Sequence, residues 1–147
     1  MRFWDSSALI PLLVLEEQSE YCIEAFGQDS DVLVWTMTKT EVFSAICRRL
    51  RDGSLGQETF DAAVYRLHDL FDSVYEIVAI PRVKARALRL LRVHPLRAAD
   101  ALQLAAVLVA TEENTNRLPV VCFEDRLAVA ARLEGFEINP KNQSFQP

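Results

Sequence analysis

Hydrophobic residues recur along this chain in two alternating patterns. Compact runs such as Val32–Trp35 contain no polar position and are too short for a helix, which is typical of strands buried on both faces of a sheet. Elsewhere the apolar residues recur every three or four positions, which predicts helices with one buried face; one such stripe is formed by Phe60, Val64, Leu67 and Phe71. The pattern therefore predicts strands that alternate with helices.

Gly and Pro breakers divide the pattern into elements. The predicted strands are Met1–Trp4, Val32–Trp35, Tyr75–Ile80 (stopped by Pro81), Pro119–Phe123 and, as a weak edge strand, Phe136–Ile138. The predicted helices are Ser6–Leu15, Glu17–Phe26, Thr38–Leu50, residues 55–73, a basic helix marked by Val83, Ala87, Leu90 and Leu91, then Pro95–Ala110 and Arg126–Leu133. Alternating strands and helices predict an α/β domain with a mainly parallel central sheet flanked by helices. At this length we expect residues 1–147 to form a single domain.

Charge is distributed unevenly along the chain. The formal net charge of −5 argues against a general nucleic-acid binder, yet six of the sixteen Lys and Arg residues lie between Arg82 and Arg97 with no acid among them. At helical spacing, Arg82, Arg86 and Arg89 fall on one side of the basic helix. This side is either a solvated outer face or a surface that positions nucleic-acid phosphates.

The cysteines, histidines and apolar runs limit the class of protein. Cys22, Cys47 and Cys122 have no metal-type spacing, and we expect buried thiols in a reducing, cytoplasmic setting. The two histidines, at positions 68 and 94, stand apart, so no Zn²⁺ site is expected. The apolar run Ala8–Leu15 lacks the features of a signal peptide and is shorter than the ~20 residues of a transmembrane helix, so we expect no membrane contact.

Acidic residues follow the predicted strands, at the edge where open parallel sheets bind ligands. Asp5 directly follows the first strand, and Glu41 lies in the first turn of the helix after the second. Asp100 lies early in the helix that precedes the fourth strand, and Glu124 and Asp125 directly follow that strand. We therefore expect these carboxylates to converge at one edge of the sheet.

Three of these acids also have a purely structural explanation. Asp5 fits the N-cap of a helix that starts at Ser6, and Asp125 fits the N-cap of a helix that starts at Arg126. Thr38 and Glu41 have the spacing of a capping box. Each of these readings predicts only a stabilised helix start.

Asp100 is harder to explain by capping. The segment from Ala98 to Ala110 is apolar except for Asp100 and Gln103, which is typical of a buried helix. If Pro95 begins that helix, Asp100 is too far along to be its N-cap. A lone carboxylate in a buried helix is costly unless it is paired or bound to a metal ion, so we favour a functional role.

Converging carboxylates repel one another, and a divalent cation removes that conflict. Mg²⁺ takes oxygen ligands, retains several waters and works together with substrate phosphates. One or two such ions support hydrolysis of a phosphodiester bond. The acids therefore predict a Mg²⁺ or Mn²⁺ site.

Three segments have the order and spacing of known motifs. They are residues 2–9 (Arg-Phe-Trp-Asp-Ser-Ser-Ala-Leu), residues 40–42 (Thr-Glu-Val) and residues 97–105 (Arg-Ala-Ala-Asp-Ala-Leu-Gln-Leu-Ala). They resemble the motifs of PIN-domain proteins, and in particular of the VapC-type toxins of bacterial toxin–antitoxin pairs. The acids Asp5, Glu41 and Asp100 match the acids of that pattern, and the matching pieces span nearly the whole chain.

The fourth motif departs from the family pattern of Thr/Ser-x-Asp followed by a Leu. In the register set by Leu127, Cys122 stands at the hydroxyl position and Glu124 at the acid. Asp125 has the usual residue type one position later. The fourth acid is therefore either Glu124 or Asp125.

The resemblance implies a three-layer PIN-like fold and a Mg²⁺- or Mn²⁺-dependent endoribonuclease. It implies catalytic roles for Asp5, Glu41, Asp100 and Glu124, and metal ligands among Asp5, Asp100, Glu124 and Asp125. Ser6 and Ser7 would supply supporting hydroxyls or only a helix start. It further implies an RNA substrate, a cognate antitoxin and homodimerisation. The Phe60 stripe either packs within a helical hairpin or homodimer, or contacts the antitoxin.

Two other readings explain acids on a parallel sheet. A receiver-like phosphoacceptor domain also binds Mg²⁺, but it needs an Asp after a central strand and a late lysine. Here Tyr75–Ile80 leads to Pro81, and the only late lysine is Lys141. The altered fourth motif also allows a catalytically inactive PIN scaffold. A nucleotide-binding module is disfavoured because no Gly-rich loop follows a strand.

Overall fold

The short apolar runs pair into one sheet. The structure is a computed structural model that describes residues 1–140. The strands are β1 (Arg2–Trp4), β2 (Val32–Trp35), β3 (Tyr75–Ile77), β4 (Val120–Val121) and β5 (Ile138–Asn139). The helices are α1 (Ser6–Leu13), α2 (Ser19–Gln28), α3 (Thr38–Arg51), α4 (Gln57–Phe71), α5 (Ile80–Val93), α6 (Ala98–Ala110) and α7 (Asp125–Leu133), with a 3₁₀ turn at Thr115–Arg117. Lys141 lies outside the described residues.

All strand pairings within these residues are parallel, in the order β3-β2-β1-β4-β5. Phe3 of the central strand β1 is paired with Leu33 of β2 on one side and with Val120 of β4 on the other. The strands therefore end together at one edge, where Asp5 and Glu124 follow neighbouring strands. The predicted parallel α/β architecture is confirmed.

Two hydrophobic cores lie on opposite faces of the sheet, because side chains alternate along a strand. Phe3 packs on the face covered by α5, α6 and α7. Trp4, the next residue, packs on the face covered by α1, α2, α3 and α4. The sheet is thus the middle of three layers.

The Phe60 stripe of α4 contributes to the second of these cores. Leu67 is fully buried there, and Phe60 and Phe71 are half-buried against the same core. The structure therefore favours packing within the helical layer over an exposed partner-binding stripe.

Two prolines start or precede helices differently from the sequence prediction. Pro81 lies in the first turn of α5, where its missing N–H costs nothing, so β3 ends earlier than predicted, at Ile77. The prediction that Pro95 lies in the first turn of the next helix is wrong. Arg97 is extended and serves as the N-cap of α6, which begins at Ala98.

The remaining sequence predictions concern thiols and membranes. All three cysteines are free; Cys22 and Cys122 are buried, whereas Cys47 is only half-buried. Across residues 1–140, no single helix is long and apolar enough to cross a membrane. The pair α5–α6 passes that test only when its two helices are joined across their 119° bend.

Candidate active site

A cavity of about 600 Å³ opens at the carboxyl edge of the sheet. Its walls come from the start of α1, one face of α3, the first turns of α6 and the junction of β4 with α7. The polar side chains that line it are Asp5, Ser6, Ser7, Thr40, Glu41, Ser44, Arg48, Asp100, Gln103 and Glu124. Four of the five predicted acids are thus brought together, from four different elements, and Asp125 is not among them.

Asp5 lies at the inner end of the cavity and is 3% exposed. It is the N-cap of α1: Oδ2 accepts hydrogen bonds from the Ser7 N–H (3.0 Å) and the Ser7 hydroxyl (2.5 Å). Ser7 Oγ in turn accepts a hydrogen bond from the Phe123 N–H at 2.9 Å, which ties the end of β4 to α1. The capping role predicted for Asp5 is confirmed, and the same carboxylate faces the cavity.

Glu41 is held by α6 and not by its own helix. Its Oε2 accepts a 2.6 Å hydrogen bond from Gln103 Nε2, which also donates to Thr38 Oγ1 at 3.1 Å. The capping box predicted for Thr38 and Glu41 is wrong, since Met37 is the N-cap of α3 and no side chain caps it. Both side chains are instead used in this contact between helices.

Asp100 has both a structural position and a place on the cavity wall. It is the third residue of α6, and its Oδ2 accepts a 3.3 Å hydrogen bond from the Arg97 N–H. The later helix start explains why capping looked implausible from the sequence. The carboxylate is half-buried and lines the cavity beside Ala99 and Gln103.

Glu124 and Asp125 are separated by the start of α7. Glu124 is the N-cap residue and lines the cavity, although its side chain makes no capping hydrogen bond. Asp125 is the first residue of the helix, so its predicted role as N-cap is wrong. Its charge instead lies in the first helical turn, where it suits the helix dipole.

The carboxylates raise one another's pKa. Burial raises the pKa of Asp5, and the charge of Asp100 raises it further, against the hydrogen bonds from Ser7. Burial also raises the pKa of Glu41, with added repulsion from Asp5 and Asp100, while Gln103 and Ser6 oppose the rise. The pKa of Glu124 rises because of burial, then because of Asp100 and Asp5.

Within the described residues, none of these four carboxylates is paired with a cationic side chain at ion-pair distance. None of the ion pairs there includes Asp5, Glu41, Asp100 or Glu124. Cys122 Sγ lies 3.8 Å from Asp5 Oδ2, and burial raises the pKa of this thiol well above its usual value, with a further contribution from Asp5. Cys122 therefore remains a neutral neighbour of Asp5.

The three arginines of the predicted basic surface do not line the cavity. Arg82, Arg86 and Arg89 of α5 are absent from its lining. Arg86 Nε and Nη2 bind Glu113 at 3.0 and 3.1 Å, and Nη2 also binds Glu134 at 3.1 Å. Arg86 thus ties α5 to the ends of α6 and α7, whereas Arg82 and Arg89 are exposed.

The histidines have no place in the cavity. His94 Nε2 lies 2.6 Å from Glu134 Oε1, so His94 belongs to the same network as Arg86. His68 is exposed on α4. One histidine is therefore buried in a contact between helices and the other lies on the surface.

Among the residues of the cavity wall to which the sequence analysis assigned no role are Arg48 and Gln103. Arg48 follows Glu41 by seven residues, which places it on the same face of α3 two turns later. It is the only Lys or Arg in the cavity lining, and within residues 1–140 it takes part in no ion pair. Gln103 follows Asp100 by three residues on α6. Both spacings were available as signals in the sequence.

Comparison with known proteins identified a structural neighbour but no sequence relative. No protein-family model matches the sequence, and no curated protein matches it. The crystal structure of FitAcB from Neisseria gonorrhoeae is similar, with a TM-score of 0.65 over 94% of this chain and 96% of that chain, at 15% sequence identity. At that identity the likeness shows the fold alone. It confirms the three-layer PIN-like fold that the sequence motifs predicted.

Proposed function

We propose that this chain is a metal-dependent endoribonuclease that hydrolyses RNA phosphodiester bonds and acts as the toxin of a VapBC-type toxin–antitoxin pair. One observation carries the proposal: Asp5, Glu41, Asp100 and Glu124 line a single cavity, and within residues 1–140 none of them forms an ion pair. Carboxylates that lie close together repel one another unless a cation joins them, and Asp5 among these four is also buried. The motif resemblance supports the reaction class, and the PIN-like fold is compatible with it.

The donor set of the cavity fits Mg²⁺ or Mn²⁺. Asp5, Asp100 and Glu124 offer carboxylate oxygens, which these ions prefer. In the described part of the chain, no three His, Cys, Asp or Glu side chains already stand around one point. This is compatible with Mg²⁺, which takes one or two carboxylates directly and completes its shell with water and substrate phosphate. When bound, such an ion supplies charge stabilisation for the phosphodiester and an activated water.

The chain's own residues would position and exchange protons around that site. Glu41 has a raised pKa and faces the cavity, so it is suited to accept a proton from an attacking water. Ser7 fixes the Asp5 carboxylate through its backbone N–H and its hydroxyl. Arg48 is the cation available to contact a neighbouring phosphate of the RNA strand.

A cognate antitoxin is part of the same proposal. The resemblance of the sequence motifs to those of VapC-type toxins supports an antitoxin as the partner of this chain. Homodimerisation is proposed for the apolar groove between α5 and α6. Its lining includes Met37, Ile80, Leu88 and Leu91, each at least 40% exposed. Exposed apolar surface of this kind marks interaction sites.

Cleavage assays on purified protein test the proposed activity. The wild type is expected to cleave RNA with Mn²⁺ or Mg²⁺ and to lose this activity in chelator. Asp5→Asn and Asp100→Asn are expected to abolish cleavage and to keep the fold, since both replacements preserve the shape of the side chain and one acceptor oxygen. Asp31→Asn, at an exposed acid outside the cavity, serves as the matched control.

Two results would contradict the proposal. Full cleavage by both cavity variants would show that Asp5 and Asp100 are not catalytic. A folded wild type that cleaves no RNA with either metal would favour the inactive-scaffold alternative.

A further inference from the structure

Gln103 is a buried amide in a helix that is otherwise apolar beyond its first turn. Its side chain is 1% exposed, yet it forms part of the cavity wall. Burying an amide is costly unless its donors find acceptors. The contacts of Gln103 therefore indicate what this residue does.

Both contacts of the Gln103 Nε2 group lead to α3. Nε2 donates to Glu41 Oε2 at 2.6 Å and to Thr38 Oγ1 at 3.1 Å. Thr38 is itself fully buried, so it fixes the amide while the amide holds Glu41. The acceptors lie one helical turn apart on α3, which suits the two N–H groups of one amide.

The charge of Glu41 makes this contact consequential. Asp5 and Asp100 repel the Glu41 carboxylate, and repulsion alone favours a rotamer turned toward solvent. A Lys or Arg in place of Gln103 would hold Glu41 by cancelling its charge. The neutral amide holds the carboxylate and leaves its charge available to a ligand of the cavity.

We propose that Gln103 is a positioning residue that fixes the Glu41 carboxylate toward Asp5 and Asp100, so that the cavity binds a divalent ion and its water in one geometry. This inference rests on the proposed function, because it names how one acid of that site is oriented. Gln103 itself touches neither ion nor substrate in this role. It acts through Glu41.

The test replaces the amide by a side chain of similar length without donors, Gln103→Met. Outer contacts that orient metal-site groups typically contribute about 10–100-fold to metal affinity or activity. We expect Mn²⁺ affinity, measured by titration without RNA, and kcat to fall by about that factor. KM for RNA should stay unchanged. Leu104→Met is the matched control, since Leu104 is the next residue of α6, is equally buried and does not line the cavity.

A double-mutant cycle separates this role from simple repacking of α6. If Gln103 acts through Glu41, Gln103→Met should cause no further loss of Mn²⁺ affinity in a Glu41→Gln background. Equal losses in both backgrounds, or equal losses from Leu104→Met, would overturn the positioning role while the metal site stands. A wild type that binds no Mn²⁺ would overturn the proposed function and this inference with it.

Discussion

Glu124 and Asp125 are adjacent in sequence, but only Glu124 lines the cavity. The difference arises because α7 begins between them. Glu124 is the extended N-cap residue at the end of β4, and Asp125 already has helical geometry. A shift of one backbone position thus decides whether a carboxylate lies in the cavity with the other acids or in the first turn of α7.

The pair provides a direct comparison of two isosteric substitutions. Glu124→Gln is expected to lower RNA cleavage and weaken Mn²⁺ binding, because it removes a charge from the cavity. Asp125→Asn is expected to leave both nearly unchanged and to lower stability by at most about 1 kcal/mol, through the weaker dipole interaction. Metal titration and cleavage on both variants decide the question. An inactive Asp125→Asn beside an active Glu124→Gln would reverse the assignment.

A second prediction at the residue scale compares the contribution of Arg48 to RNA binding with that of an arginine of α5. In a non-cleaving Asp100→Asn background, Arg48→Gln is expected to weaken RNA binding. The slope of log affinity against log salt should fall by about 0.7, the value for one lost phosphate contact with a single strand. Arg89→Gln is the control, because Arg89 is exposed but lies outside the cavity lining. A larger effect at Arg89 would favour the α5 surface as the RNA contact.

At the scale of elements, the helices position the site through their ends. α1, α6 and α7 contribute acids at or near their N-termini, where backbone N–H groups and the helix dipole favour negative charge. α3 contributes one face along two turns, from Glu41 to Arg48. The C-terminal ends of these helices matter as well, because each one fixes where the chain turns toward the next element.

The stop of α7 yields a stability prediction. Gly135 has φ +98°, a left-handed conformation, and a Cβ there would lie 2.9 Å from Thr115 Oγ1. Gly135→Ala is therefore expected to lower the free energy of unfolding by about 1 kcal/mol or more. Gly27→Ala, inside α2 with open space around it, is expected to be neutral or stabilising by up to about 1 kcal/mol. Urea unfolding of both variants measures the contrast, and equal effects would contradict it.

At the scale of the whole molecule, the acidic cavity links stability to pH and metal. The folded-state pKa values of Asp5, Glu41 and Glu124 are raised above their ordinary values of 3.8 and 4.5. Between the ordinary and raised values the folded state binds more protons than the unfolded state. Without metal, stability should therefore fall as the pH rises through this window.

A divalent ion should reverse that loss, since it binds the ionised carboxylates. At a hundredfold excess over its dissociation constant it is expected to add about 2.7 kcal/mol. Thermal melts with Mn²⁺ and with chelator, from pH 4 upward, measure both effects (about 4 being the ordinary carboxyl range). Asp5→Asn should flatten the pH slope in chelator and raise the melting temperature there. A melting temperature that changes with neither pH nor metal would count against a metal site in this cavity.

The sequence by itself determined the succession of elements and the set of acids. Compact apolar runs and a burial period of 3.6 residues are local signals, so they located the five strands and seven α-helices of residues 1–140 with shifts only at the ends, as at Pro81 and Pro95. The 3₁₀ turn at Thr115–Arg117 was not predicted. Motif spacing also identified Asp5, Glu41 and Asp100 as acids that would lie together. Each follows a strand or opens a helix, and such positions meet at the carboxyl edge of a parallel sheet.

Tertiary structure alone decided which side chains bind one another across distant parts of the sequence. Gln103 meets Glu41 across 62 residues of sequence, and Arg86 meets Glu134 across 48. Strand order and helix packing set these contacts, and no local period encodes them. For that reason the sequence did not show that Arg86 binds Glu134 or that Arg48 lines the cavity. The start of α7, one residue earlier than predicted, was likewise not fixed by a local period.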